Sequence, residues 1–246
     1  RARYVHVSPL ADVYNITRSP AVCNSLPTFY PYNGNTGGLR NIDVRVNGTV
    51  NGNWNNVTVK RGIAATITGN NFGKITVERG AIVTFTATVI NLEKLKIENG
   101  RSPQSFTVVN FSNEASVKVK DQVTIEAYSR VNVGGPPVTF YKGDNTHGEE
   151  KFLVKGEDNQ VTANIMVPNG KLKVEGGSYT AWPTVMTGWY VIEKLDVSCK
   201  FVYWYQSDYE LPRLKSDDVQ PGTELQNSII PLDPEVKNVD EFRVNV

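Results

Sequence analysis

Histidine and cysteine are almost missing from this chain, with two of each among 246 residues. So few imidazoles and thiols leave little from which to build a metal centre or a nucleophilic triad. Neither cysteine has a CxxC neighbour, which disfavours zinc and thioredoxin-type chemistry. An excess of charge is lacking too: 26 Lys+Arg stand against 25 Asp+Glu, a formal net charge of +1. No nucleic-acid or membrane-surface partner is therefore expected to be held by bulk electrostatics. No run approaches the roughly 18 apolar residues of a membrane span, so membrane insertion by a helix is not expected. The chain opens RARYVHV, without an initiator Met or a signal peptide, and reads as a processed product or an excised piece of something larger. No stretch of ten residues keeps a helical apolar stripe.

What the chain does have is Asn, clustered with Gly in NGNTGG (33–38), NGTVNGNWNN (47–56) and GNN (69–71). Both residues tolerate left-handed backbone and make tight turns. Interleaved with Val, Ile and Thr, they point to many short strands joined by tight corners.

A repeat runs through the middle. VTVKRG (Val57–Gly62) recurs as ITVERG (Ile75–Gly80) and LKIENG (Leu95–Gly100), with VKVKDQ (Val117–Gln122) as a weaker copy and LKVEGG at Leu172–Gly177. The first four starts are spaced by 18, 20 and 22 residues. A period near 20 marks a solenoid, in which each unit buries its apolar face only by stacking on its neighbours. Each copy alternates with period two, so the unit is a strand. Further strands are expected between the copies at 64–68, 82–87, 106–111, 123–128 and 138–142. Short strands with Gly or Asn at the corners of each turn make an all-β, single-stranded parallel β-helix, for which right-handed winding is the commoner expectation. Residues 42–206 would then form roughly eight rungs spaced about 4.8 Å, a rod about 40 Å long.

The alternation assigns sides. Val57, Val59, Ile75, Val77, Leu95, Ile97, Val117, Val119, Leu172 and Val174 should face inward and stack in columns. Between them Thr58, Lys60, Thr76, Glu78, Lys96, Glu98, Lys118, Lys120, Lys173 and Glu175 should form a solvated polar stripe. Residues 1–41 lack the period and carry Phe29, Tyr30, Pro31 and Tyr32, which suits an N-terminal cap over the first rung. Residues 207–246 turn acidic and Pro-bearing, as a linker or wrapped C-terminal tail does.

Within 161–195, VTANIMVPNGKLKVEGG followed by MTGWYVIEKL resembles a rung pair of β-helical stalk and adhesin-type segments in large bacterial secreted and surface proteins. Cell-surface and type IX-secreted proteins of Bacteroidetes are the most similar; the polymer-forming bactofilins share the stacked architecture but not this phrase. Pro168-Asn169-Gly170 reads as a tight corner, and Thr187-Gly188 as a bend where a neighbouring rung passes closely. The motif is structural and transfers no catalytic residue. The resemblance implies an extracellular or cell-surface scaffold, partnered by other domains of its precursor, by copies of itself or by surface polysaccharide.

Three constellations bear on chemistry. Trp182, Trp189, Tyr203, Trp204 and Tyr205 crowd the C-terminal rungs and either stack on sugar faces or plug the open end. Asp144, His147, Glu149 and Glu150 share one polar loop with the donor types of a metal site, against which stands an ordinary solvated excursion. Cys23 and Cys199 are either a disulfide closing a long loop or two buried thiols. Cleavage of polysaccharide would need two carboxylates about 5–10 Å apart in a groove, and the stripe offers mixed Lys, Thr and single Glu instead. The expected function is a stiff, non-catalytic spacer or surface-contact module without a cofactor. Carbohydrate binding or cleavage, and end-to-end stacking into a filament, are the alternatives.

Overall fold

The computed structural model describes residues 2–7, 12–13, 32–102, 104–142, 149–176, 183–199, 201–205 and 242–245. Among them every regular element is a strand, and the strands form two ten-stranded sheets. Sheet A runs from β3 (Asn41–Val44) through β5 (Trp54–Val59), β7 (Asn71–Val77), β9 (Val89–Ile97) and β11 (Ala115–Ile125) to β13 (Val138–Tyr141), β16 (Asn164–Gly176), β18 (Tyr190–Cys199) and β1 (Ala2–Val7). A further strand, β14 (Glu149–Lys155), fills the same layer as β13 by pairing with β11 and β16. Sheet B begins with β4 (Gly48–Val50), β6 (Ala64–Ile67), β8 (Ile82–Phe85), β10 (Thr107–Phe111) and β12 (Ser129–Val131). It continues with β15 (Gln160–Thr162), β17 (Thr184–Thr187), β19 (Phe201–Tyr205), β20 (Phe242–Asn245) and β2 (Asp12–Val13). From β3 to β19 the chain alternates between the sheets, the β13–β14 layer apart, and every pairing there is parallel. Only β20 is antiparallel to its neighbours, β19 and β2.

Register follows the alternation of the sequence. Val59, Val77 and Ile97 stand above one another, and the same column continues through Ile125, Val154, Val174, Val197 and Val7. A second column runs Ile42, Val57, Ile75, Leu95, Val123, Phe152, Leu172, Leu195, Val5. Every one of the ten residues expected inward is buried, Val119 being the most accessible at 4%. The apolar floor includes a ladder of phenylalanines. Phe85 stacks on Phe111 at 5.3 Å, Phe72 lies edge-on to Phe85, and Phe140 is edge-on to Phe111 and to Phe152.

The structure corrects the repeat in one place. Val117 pairs with Ile90, not with Leu95; the partner of Leu95 is Val123. VKVKDQ and the first three residues of VTIEAY are therefore parts of the single strand β11, which has a register shift between Val119 and Gln122 and ends at Ile125. The step from Leu95 to its partner is thus 28 residues, where the step from Ile75 to Leu95 is 20. Most of the added length lies in the connection 98–106, nine residues where the 78–81 connection holds four. Pro168-Asn169-Gly170 is likewise no corner between strands. It lies inside β16 at a register shift between Val167 and Lys171, and Asn169 and Gly170 have no left-handed backbone.

Two further findings concern the ends and the asparagines. β1 pairs with β18, at the opposite end of sheet A from β3, so this stretch of the segment expected over the first rung lies beyond the last. In 47–56 the asparagines serve less as left-handed corners than as side-chain rungs. Asn47 Oδ1 accepts the Ala64 N–H, Asn53 Oδ1 accepts those of Asn70 and Asn71, and Asn51 Oδ1 accepts the Thr68 hydroxyl. Each satisfies a backbone or hydroxyl donor of the next layer that the ladder leaves over.

At Gly188 the close approach read from the sequence is real: a Cβ there would sit 2.0 Å from the carbonyl oxygen of Ala163. Gly188→Ala should cost at least twice what Gly62→Ala costs, because Gly62 has open space and only the left-handed penalty of about 1–2 kcal/mol. Phe85→Ala should cost about 3–5 kcal/mol, and Thr84→Ala within about 0.5 kcal/mol of nothing. Urea denaturation midpoints check all four.

Candidate functional site

The outer face of sheet A carries the charges that alternation pushes outward. Lys60 reaches Glu78 at 2.9 Å and Asp43 at 3.5 Å. Lys96 reaches Glu98 at 3.0 Å and Glu126 at 3.9 Å, and Lys155 meets the same Glu126 at 3.3 Å. Farther along, Lys173 pairs with Glu175 and Lys171 with Asp196. Lys96–Glu98 and Lys173–Glu175 are same-face neighbours two residues apart along the chain, whereas the parallel register sets the pairs of Lys60, of Lys171 and of Glu126, which join different layers. Each pair is partly exposed and worth about 0.2–1 kcal/mol.

Sugar cleavage requires two carboxylates about 5–10 Å apart in a groove, and two pairs of carboxylates on this face share a lysine. Glu98 and Glu126 both pair with Lys96, as Asp43 and Glu78 both pair with Lys60, so each of these carboxylates is already engaged by an ammonium. A second cluster sits at the bend of sheet A. Thr36 donates to Glu93 at 3.3 Å, Lys120 meets Glu93 at 3.1 Å, and its ammonium lies 5.7 Å from the centre of the Tyr32 ring. Burial, reinforced by Glu93, raises the Tyr32 phenol above its ordinary value. On sheet B, Arg130 is bonded to Asp158 at 2.6 Å and its guanidinium lies 3.6 Å over the Phe106 ring. All three clusters tie neighbouring layers together.

The aromatic residues divide. Tyr190 is half-buried with its hydroxyl shut away from solvent, edge-on to Trp204 at 5.2 Å, and burial pushes its phenol well up. Trp204 packs on the core beside the fully buried Val202. Tyr203 and Trp189 are half-buried, Tyr205 is exposed at 36%, and the Trp189 N–H donates to the buried Asn164. Gly188 N–H donates to the Tyr205 carbonyl, so Trp189 and Tyr205 come from adjoining layers. Trp182 lies outside the described residues, as do Asp144, His147 and Cys23. Glu149 and Glu150 open β14 in register with Gly170 and Lys171. Among the described residues, no three His, Cys, Asp or Glu side chains are grouped to hold a metal ion. Cys199 is buried at the end of β18.

One small cavity, about 10 Å³, opens between Asn132, Pro136, Asn164 and Gly188. Its volume suits a single water. The sequence reading did not single out Asn132, whose backbone is left-handed and whose amide donates to Pro136 and Thr162 carbonyls. The only cue was its place before Gly134-Gly135.

Comparison of the chain with protein-family models, with curated proteins and with solved structures returned no match.

The hydrogen bond to Glu98, with Glu126 adding to it, raises Lys96 above the ordinary lysine value of 10.5. A cation favoured by folding contributes fully below its unfolded pKa and loses that contribution as pH rises through the folded one. The stability difference between the native chain and Lys96→Met should therefore be flat from neutral pH to about pH 10 and shrink above it. Denaturation midpoints at a series of pH values check this.

Proposed function

We propose that the chain winds as one single-stranded, right-handed parallel β-helix and serves as a non-catalytic spacer or surface-contact module of a larger secreted bacterial protein. The observation that carries this is the pair of apolar columns in sheet A, each continuous from β3 to β1. Nine stacked positions separated by about 4.8 Å make a strut about 40 Å long. Such a strut resists bending because flexing it must stretch two hydrogen-bonded sheets and open a close-packed core.

The outer face supports the same reading. Its charges are spent on each other, Lys60 on Glu78 and Lys96 on Glu98, rather than gathered in a groove. The phrase at 161–195 supports a stalk or adhesin setting at an extracellular cell surface. Partners of such a module are other domains of its precursor or copies of itself, and no cofactor is needed.

A panel of neutral and acidic polysaccharides tests the reading, by calorimetry for binding and by reducing-end release for cleavage. Neither heat nor product is expected. Product that disappears in Glu98→Gln or Glu126→Gln would replace it with a polysaccharide-cleaving enzyme. Saturable heat lost in Tyr203→Ala and Tyr205→Ala would replace it with a carbohydrate-binding module.

A further inference from the structure

A stack of parallel strands has two ends, and here both ends of sheet A close on strands of the same direction. β3 pairs parallel with β5 at one end, and β1 pairs parallel with β18 at the other. The two apolar columns reach both edges in the same order along the strand: Ile42 and Val44 in β3, Val5 and Val7 in register with Leu195 and Val197. Sheet B ends alike, because β20 is antiparallel to β19 and β2 antiparallel to β20, which turns β2 back to the direction of β4.

The β3 edge is open among the described residues. Arg40 and Val44 direct their carbonyls to the N–H groups of Asn55 and Lys60 in the next layer. By the alternation of a parallel strand, Asn41 and Asp43 direct theirs the other way, where no described strand lies. Of the described lead-in residues, Tyr32 and Thr36 sit away from that side, against Glu93 and Lys120 on β9 and β11. Val46, just beyond β3, is 74% exposed. Unpaired strand edges of this kind recruit further strands.

We infer that the partner of the β3 edge is the β1 edge of a second copy of this chain, which extends sheet A from one molecule into the next. The inference rests on the parallel stacking proposed above and names its self-contact. Ile42 then falls beside Val5 and Val44 beside Val7, so both columns continue across the junction and Asp43 stands next to position 6. Sheet B carries one strand more than sheet A at the β1 end, so neighbouring molecules meet at an inclined junction. The contact joins unlike surfaces, which makes it heterologous and leads to open rows rather than closed dimers.

Sedimentation of the full chain from low to high micromolar concentration tests this. The native chain should rise in average mass with concentration, in steps of 27.3 kDa. Asp43→Pro removes an N–H that faces away from β5 and blocks strand addition. It should weaken association at least tenfold, with Asp43→Asn as the control that keeps the N–H. Should Asp43→Pro fail to fold by circular dichroism, chains carrying Asp43→Cys and chains carrying His6→Cys are mixed under oxidation. The mixed disulfide dimer should then exceed either like dimer several-fold. A native chain that stays monomeric throughout overturns the inference while leaving the strut intact. So does equal association of a folded Asp43→Pro, or crosslinking no better than between like chains. A polysaccharide-cleaving result would sink the strut reading alone.

Discussion

Everything in this molecule depends on the parallel hydrogen-bonded ladder between layers. A strand that pairs with an identical direction above and below must place residue over residue, so alternation within one strand becomes a column through all of them. The apolar columns of sheet A, the phenylalanine ladder and the outer ion pairs are three results of that one constraint. It also explains why removing a side chain at one level leaves its neighbours poorly packed on two sides.

Charge on the outer face is organised by the same ladder. Lys60 lies between Asp43 and Glu78, and Lys96 reaches Glu126, because layers in register bring those positions within reach. Singly, such pairs are weak. Strung along a rigid sheet, the side chains are already positioned and keep an otherwise uniform face free of apolar patches. A face whose charges answer one another presents little field to a distant ligand.

The columns were legible in the sequence because Val57, Ile75 and Leu95 open near-identical phrases at close to one period. What hid was the fourth alignment. VKVKDQ and VTIEAY alternate in the same way, and nothing in period-two hydrophobicity distinguishes the first half of a bent strand from the second. Pro168-Asn169-Gly170 misled for a related reason: turn-forming residues also suit a register shift inside a strand. The partners of Lys96 and the buried role of Asn132 depend on which residues lie a layer away, and that separation varies.

The unequal steps between layers have a further meaning. The connection 98–106 is longer than its counterpart at 78–81, yet Leu95 and Ile97 still meet Val123 and Ile125 squarely. Extra chain leaves the stack at a corner and returns without passing any disturbance to the layers beyond. A fold of this kind can gain or lose segments at its corners over evolutionary time, so new recognition loops can be trialled on a shaft that never has to be redesigned.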